Sequence, residues 1–135
     1  MQKAAFSLID YQFNKVIIDL ENHTEKELNV LFKTEGVFFN QKSIYELKFD
    51  VLVNSNEITN PFVEVHCKGN YKFENCSTIQ EIPDFFYRNC IAILFPYVRA
   101  YISLITTQAN VPGIILPTLN LSGLENELKR NTIQN

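Results

Sequence analysis

Phe85-Phe-Tyr-Arg-Asn-Cys-Ile-Ala-Ile-Leu-Phe-Pro-Tyr-Val-Arg-Ala-Tyr-Ile-Ser-Leu-Ile-Thr-Thr-Gln108 is the stretch on which the fold turns. Polar or small residues recur at Arg88, Ala92, Pro96, Arg99, Ser103 and Thr106 with Thr107, a spacing that traces one narrow stripe along a helix. The rest of the circumference is apolar, including Ile91, Leu94, Tyr97, Val98, Tyr101, Ile102 and Ile105. A helix lying on one sheet needs an apolar arc of roughly 100°. This one is wider, so a single sheet leaves part of it uncovered. The surplus predicts a stable homo-oligomer with this helix in the interface. Pro96 deletes one helical hydrogen bond, which predicts a kink there.

Upstream the period changes to two. In residues 44–53, Tyr45, Leu47, Phe49, Val51 and Val53 share one face, and Glu46, Lys48 and Asp50 the other. Residues 62–74 alternate likewise, with Val63, Val65, Cys67, Tyr71 and Phe73 opposed to Glu64, His66, Lys68, Asn70 and Lys72. Turn-forming residues at 54–57 and 60–61 predict a hairpin between them. Residues 28–39 read as a third strand with a bulge at Gly36. In the first strand, Ile9, Tyr11 and Phe13 run out of phase with Val16, Ile18 and Leu20, so a bulge near Asn14 and Lys15 is expected.

Thr78-Ile-Gln-Glu81 and Pro83-Asp84 carry helix-start chemistry ahead of the long helix. After it, Val111-Pro-Gly-Ile-Ile-Leu-Pro117 is fixed by its prolines yet strongly apolar, unlike an ordinary solvated loop. Ser122-Gly-Leu-Glu125 reads as a capping box that opens a short second helix. With only Leu121, Leu124 and Leu128 apolar, that helix docks by one edge and suits a movable cover.

With 135 residues and no linker or repeat, the chain fits one domain, residues 1–135. A net charge of −3 provides no basic excess for a nucleic-acid backbone. The first residues lack a secretory leader. The longest strongly apolar run, residues 90–98, is shorter than the roughly 20 residues a bilayer demands. Three cysteines without a CxxC pair fit reduced thiols. Cytoplasmic localisation without membrane insertion is therefore expected.

Catalytic chemistry is sparse. His66 and Cys67 alternate to opposite strand faces, a poor geometry for a metal. Cys67 and Cys90 fall on apolar faces, where burial raises a thiol pKa. No phosphate-binding glycine loop occurs among four glycines. Neither an enzyme nor a cofactor is expected. What remains is apolar surface beyond the needs of one core, destined for an oligomer interface or a groove for extended polypeptide.

Ile93-Leu-Phe-Pro-Tyr-Val-Arg-Ala-Tyr-Ile-Ser-Leu-Ile105, Val111-Pro112 and Leu116-Pro-Thr-Leu-Asn120 together resemble the SecB family signature. The resemblance extends over nearly the whole chain and implies an α+β subunit: a four-stranded antiparallel sheet, a long kinked helix and a short C-terminal helix. It also implies a homotetramer built as a dimer of dimers, and an ATP-independent chaperone for unfolded or precursor polypeptides destined for export. On that resemblance, Phe38, Phe39, Tyr45, Phe95, Ile114, Ile115 and Leu116 are groove candidates, with Leu124 and Leu128 on the cover helix. Ile91, Leu94, Tyr97, Val98, Arg99, Tyr101, Ile102 and Ile105 are interface candidates.

Glu64 matches an acidic position through which export members dock the translocation motor SecA, whereas Val16 replaces a first-strand acid. A dedicated SecB-like chaperone of an antitoxin in a toxin–antitoxin module is therefore a second reading. A structural oligomer or small-molecule-binding scaffold is a third.

Overall fold

The computed structural model describes residues 5–23, 28–55, 60–111, 114, 116–117 and 119–135. Strands β1 (Ala5–Ile18), β2 (Leu28–Phe39), β3 (Ile44–Ser55) and β4 (Val63–Glu74) precede helices α1 (Asp84–Gln108) and α2 (Leu121–Arg130), and β5 (Thr132–Gln134) ends the chain. The sheet order is β1-β4-β3-β2-β5. β2, β3 and β4 form an antiparallel meander, and β1 returns beside β4, which is Greek-key topology. The α+β architecture read from the sequence holds, with one addition. Three residues after α2 pair in parallel with Gly36, Val37 and Phe38 of β2 and extend the sheet to five strands.

Alternation gives the sheet one apolar face. Tyr45, Leu47, Phe49, Val51 and Val53 of β3 and Val63, Val65, Cys67, Tyr71 and Phe73 of β4 are all buried on it. β1 keeps phase with them only by bulging twice. One register shift lies between Phe13 and Lys15, as the sequence predicts, and a second between Leu8 and Asp10. Ile9 is the extra residue of the second bulge and is exposed.

Gly36 is not a bulge, because β2 and β3 pair without interruption. A Cβ at Gly36 would run into the Tyr45 ring. Its absence lets the Tyr45 phenol cross β2 and meet Thr132 Oγ1 at 2.6 Å.

α1 lies across the apolar face. Leu94 rests on the flat spot at Gly69, where a Cβ would stand 3.2 Å from its methyl. Beneath Cys90, the Tyr71 hydroxyl donates to the backbone carbonyl at 2.6 Å. Along β1 the contact is aromatic: Phe6 meets Phe86 edge-on at 4.7 Å, Tyr11 stacks on Tyr97 at 4.6 Å, and Phe13 stacks on Tyr101 at 3.9 Å. The helix continues through Pro96 as one element.

By length and composition α1 suffices to cross a bilayer, with mean hydropathy 1.5, because it outruns the 90–98 segment at both ends. Its sheet-facing side is spent within the subunit, where Phe86, Ile91, Leu94, Val98 and Ile102 are fully buried.

The Pro83-Asp84 start holds, since α1 begins at Asp84, but the starts read at Thr78–Glu81 and Ser122–Glu125 shift. Glu81 gathers the Ser77 N–H and the Ser77 and Thr78 hydroxyls, but this cluster closes only a 3-10 turn, and α1 begins after Pro83. α2 is capped by Asn120, whose side chain accepts from the Gly123 N–H at 3.2 Å. Ser122 is already inside the helix, and its hydroxyl accepts from Arg88 at 3.0 Å.

Candidate functional site

The C-terminal end of α1 creates the site. Asn110 adopts a left-handed φ of 62°. Its N–H donates to the Thr107 carbonyl, and the Val111 N–H donates to the Thr106 carbonyl, the paired bonds of a Schellman ending. The chain thus turns back along α1. Ile114 and Leu116 are buried against the core, and Leu119 and Leu121 pack at its margin.

Between this return segment and α1 runs an apolar channel. One hollow of 390 Å³ is lined by Phe95, Pro96, Arg99, Ala100, Ser103 and Ile114. The next, of 270 Å³, is lined by Ala92, Phe95, Arg99, Leu116, Pro117, Leu119 and Leu121. The two share Phe95 and Arg99, so they form consecutive stations of one groove. Its floor follows the stripe of small and polar residues in the opening sequence, where Ala92, Pro96 and Ser103, joined by Ala100, leave room that larger side chains would fill.

Phe95 also forms the inner wall, meeting Phe32 of β2 edge-on at 6.0 Å and Phe49 of β3 at 6.3 Å. The edge of β2 beside that wall is open. Gly36, Phe38 and Asn40 turn their backbone groups outward to residues 131–135. Val30 and Phe32 have the same parity, and among the described residues no strand lies beside them.

At the other end of the groove α2 is fastened to α1. Arg88 pairs with Glu125 at 3.3 Å, and Lys129 pairs with Asp84 at 2.6 Å. Leu124 and Leu128 point inward, and Glu127 accepts from the Thr34 hydroxyl at 3.2 Å.

The structure sorts the residues singled out by sequence. Phe95, Ile114 and Leu116 line the groove. Phe38, Tyr45, Leu124 and Leu128 are packed into the core instead, and Phe39 lies on the opposite sheet face because alternation separates it from Phe38. Ile115 lies outside the described residues. Among the interface candidates, Ile91, Leu94, Val98 and Ile102 face the subunit's own sheet, which removes them from any surface open to a second copy. Tyr97 and Arg99 are exposed, and Tyr101 and Ile105 half-buried. The outward side of α1 is marked instead by Phe85, Ile93, Tyr97 and Leu104.

Glu64 lies on the far face of the sheet, paired with Lys15 at 3.3 Å and His66 at 2.7 Å. Burial works against its charge, but the hydrogen bonds from His66 and Lys15 hold its carboxyl below the ordinary range. Burial raises the neighbouring Asp50, and His66 Nδ1 at 3.4 Å partly offsets this. Lys15, Lys33, Lys48, Lys68 and Lys72 share this face with Asp10, Glu35, Glu46, Asp50, Glu64 and Glu74, so charges of both signs are interspersed. Among the described residues no group of three or more His, Cys, Asp or Glu side chains is arranged to hold a metal ion. Cys67, Cys76 and Cys90 are buried free thiols.

A Greek-key sheet overlaid by one long helix, with an apolar channel along that helix, defines an α+β subunit. A sequence model described as preprotein translocase subunit SecB matches residues 7–131, and the chain belongs to the SecB family. Over 46 residues it is 52% identical to an uncharacterized protein of Methanocaldococcus jannaschii, a stretch that is 34% of this chain and 30% of that protein. The chain thus spans less than a third of this relative's length in the match. The fold is similar to a SecB-like chaperone of Mycobacterium tuberculosis, solved in complex with a peptide from an antitoxin. The TM-score is 0.66 at 14% identity, covering 85% of this chain and 88% of that one. The family supports a chaperone role.

Proposed function

We propose that this protein is an ATP-independent holdase that binds apolar, extended stretches of non-native polypeptide, with export precursors as its clients, in the grooves of a cytoplasmic homotetramer. The observation that carries the proposal is the continuous channel of two hollows, 390 and 270 Å³, joined at Phe95 and Arg99. Each hollow is wide enough for one or two client side chains. The open edge of β2 beside Phe95 offers backbone hydrogen bonds to a chain held extended. Apolar burial is non-directional, so many sequences fit. Holding the unfolded ensemble opposes folding and aggregation by mass action, and a long client engages several grooves at once.

The test fills the groove without removing any packing. Ala100→Trp occupies the larger hollow, and suppression of aggregation of an unrelated unfolded protein should fall several-fold while mass and melting temperature stay unchanged. Unaltered holdase activity in that variant overturns the assignment of the groove. A tetramer that protects no unfolded chain overturns the holdase itself and leaves a structural oligomer or small-molecule scaffold.

A dedicated role with an antitoxin is the second reading, favoured by the state of Glu64. Its carboxylate is already engaged by Lys15 and His66, and five lysines stand against six carboxylates on the surrounding face, an acidic excess of a single charge with which to attract SecA. Direct titration with SecA separates the two readings, since an export chaperone should bind it and a dedicated one should not.

A further inference from the structure

Thr106 is fully buried, and both of its oxygen atoms are turned to the return segment. Its carbonyl accepts from the Val111 N–H at 3.2 Å as part of the helix ending. Its hydroxyl oxygen lies 2.8 Å from the Ile102 carbonyl, 3.2 Å from that of Ser103, and 3.1 Å from the Ile114 N–H. With one proton, the hydroxyl donates back into the helix, leaving a lone pair aimed at Ile114. At Ile114, the outer wall of the larger hollow is therefore held by a side-chain hydrogen bond from α1. A Val of the same shape would fill the space yet strand the buried Ile114 N–H.

We propose that Thr106 is the positioning residue of the groove: its hydroxyl fixes how far the wall carrying Ile114 stands from the floor at Phe95 and Ala100, and thereby sets client affinity. The inference rests on the groove being the client site. It singles out a side chain that touches no client and acts only through Ile114. Among the described residues the next side-chain hydrogen bond between the return segment and α1 is that of Arg88 to Ser122, so the spacing at Ile114 rests on Thr106 together with the packing of Ile114 and Leu116.

The experiment compares the unaltered protein with Thr106→Val and Thr106→Ser, the latter keeping the oxygen. Dissociation of a fluorescent, reduced unfolded polypeptide is followed alongside amide exchange. In Thr106→Val, exchange at Ile114 should speed up while β3 and β4 remain protected, and client affinity should fall roughly five- to tenfold, the scale of one hydrogen bond. Thr106→Ser should restore both. Parental affinity in Thr106→Val, or failure of Thr106→Ser to restore it, overturns the positioning role while leaving the groove assignment intact. If the unaltered protein captures no unfolded chain, the holdase reading falls and this inference falls with it.

Discussion

At the scale of single residues, burial governs the chemistry. Burial pushes the Cys67 thiol up to about 12, and the enclosed Cys90 also lies well above its usual value. The Tyr87 phenol is likewise pushed up to about 12, and those of Tyr45 and Tyr71 are raised further by the same loss of solvent. These groups hold their protons in the fold over a range where the unfolded chain releases them. Their contribution to stability is therefore complete below about pH 9 and is lost progressively as pH rises towards 12. Thermal melting should show a plateau to about pH 9 and a decline above it; a flat profile through pH 11 would refute this. The inertness of Cys67 and Cys90 was legible in sequence, since period-two alternation and helical phase both turn them inward. The role of Gly36 was not, because its reason is the Tyr45 ring on the neighbouring strand.

Among the elements, α2 shows best what local sequence signals leave open. Ser122 and Glu125 satisfy the spacing of a capping box, but Asn120 caps the helix, and Ser122 and Glu125 both engage Arg88 of α1. The competing cap won because the return segment delivers Asn120 to the helix entrance. Asn120→Ala should cost about 1 kcal/mol in urea denaturation, the usual loss of an N-cap. Ser122→Ala removes an exposed contact and should cost only a few tenths. Equal effects would show that Ser122 shares the cap. Of the two ion pairs that fasten α2, Lys129–Asp84 is exposed and Arg88–Glu125 is half-buried on the Glu125 side, so they contribute only modestly to stability.

For the whole molecule, the apolar surplus remains after the core is complete. Tyr97 is 45% exposed and Leu104 56% exposed on the outward side of α1, and Tyr11 on the adjoining β1 is 40% exposed. Tyr11 and Tyr97 stack on each other, and large apolar side chains exposed together in this way are the usual mark of an interface. In the proposed tetramer, a second copy covers them. Tyr97→Glu combined with Leu104→Glu should reduce the mass in sedimentation to that of a smaller assembly, with the sheet still folded by circular dichroism. An unchanged mass would place the interface elsewhere.

The sequence by itself determined the four long strands, the faces that β3 and β4 bury, the bulge after Phe13, the long helix and the excess of apolar surface. All of these follow from periodicity, which is a local property of the chain. The same periodicity marked the stripe from Ala92 to Ser103, now the floor of the groove, although it gave no sign that the stripe was hollow. Only tertiary structure decided which apolar residues line that hollow and which fill the core. Phe38, Tyr45, Leu124 and Leu128 are as apolar as Phe95 and Leu116, and what separates them is how the neighbouring elements pack over each. β5 and the Thr106 anchor escaped the sequence for the same physical reason. Each depends on a partner brought near by the fold: the edge of β2 for Thr132–Gln134, and the returning Ile114 N–H for a hydroxyl that local pattern places on a polar stripe.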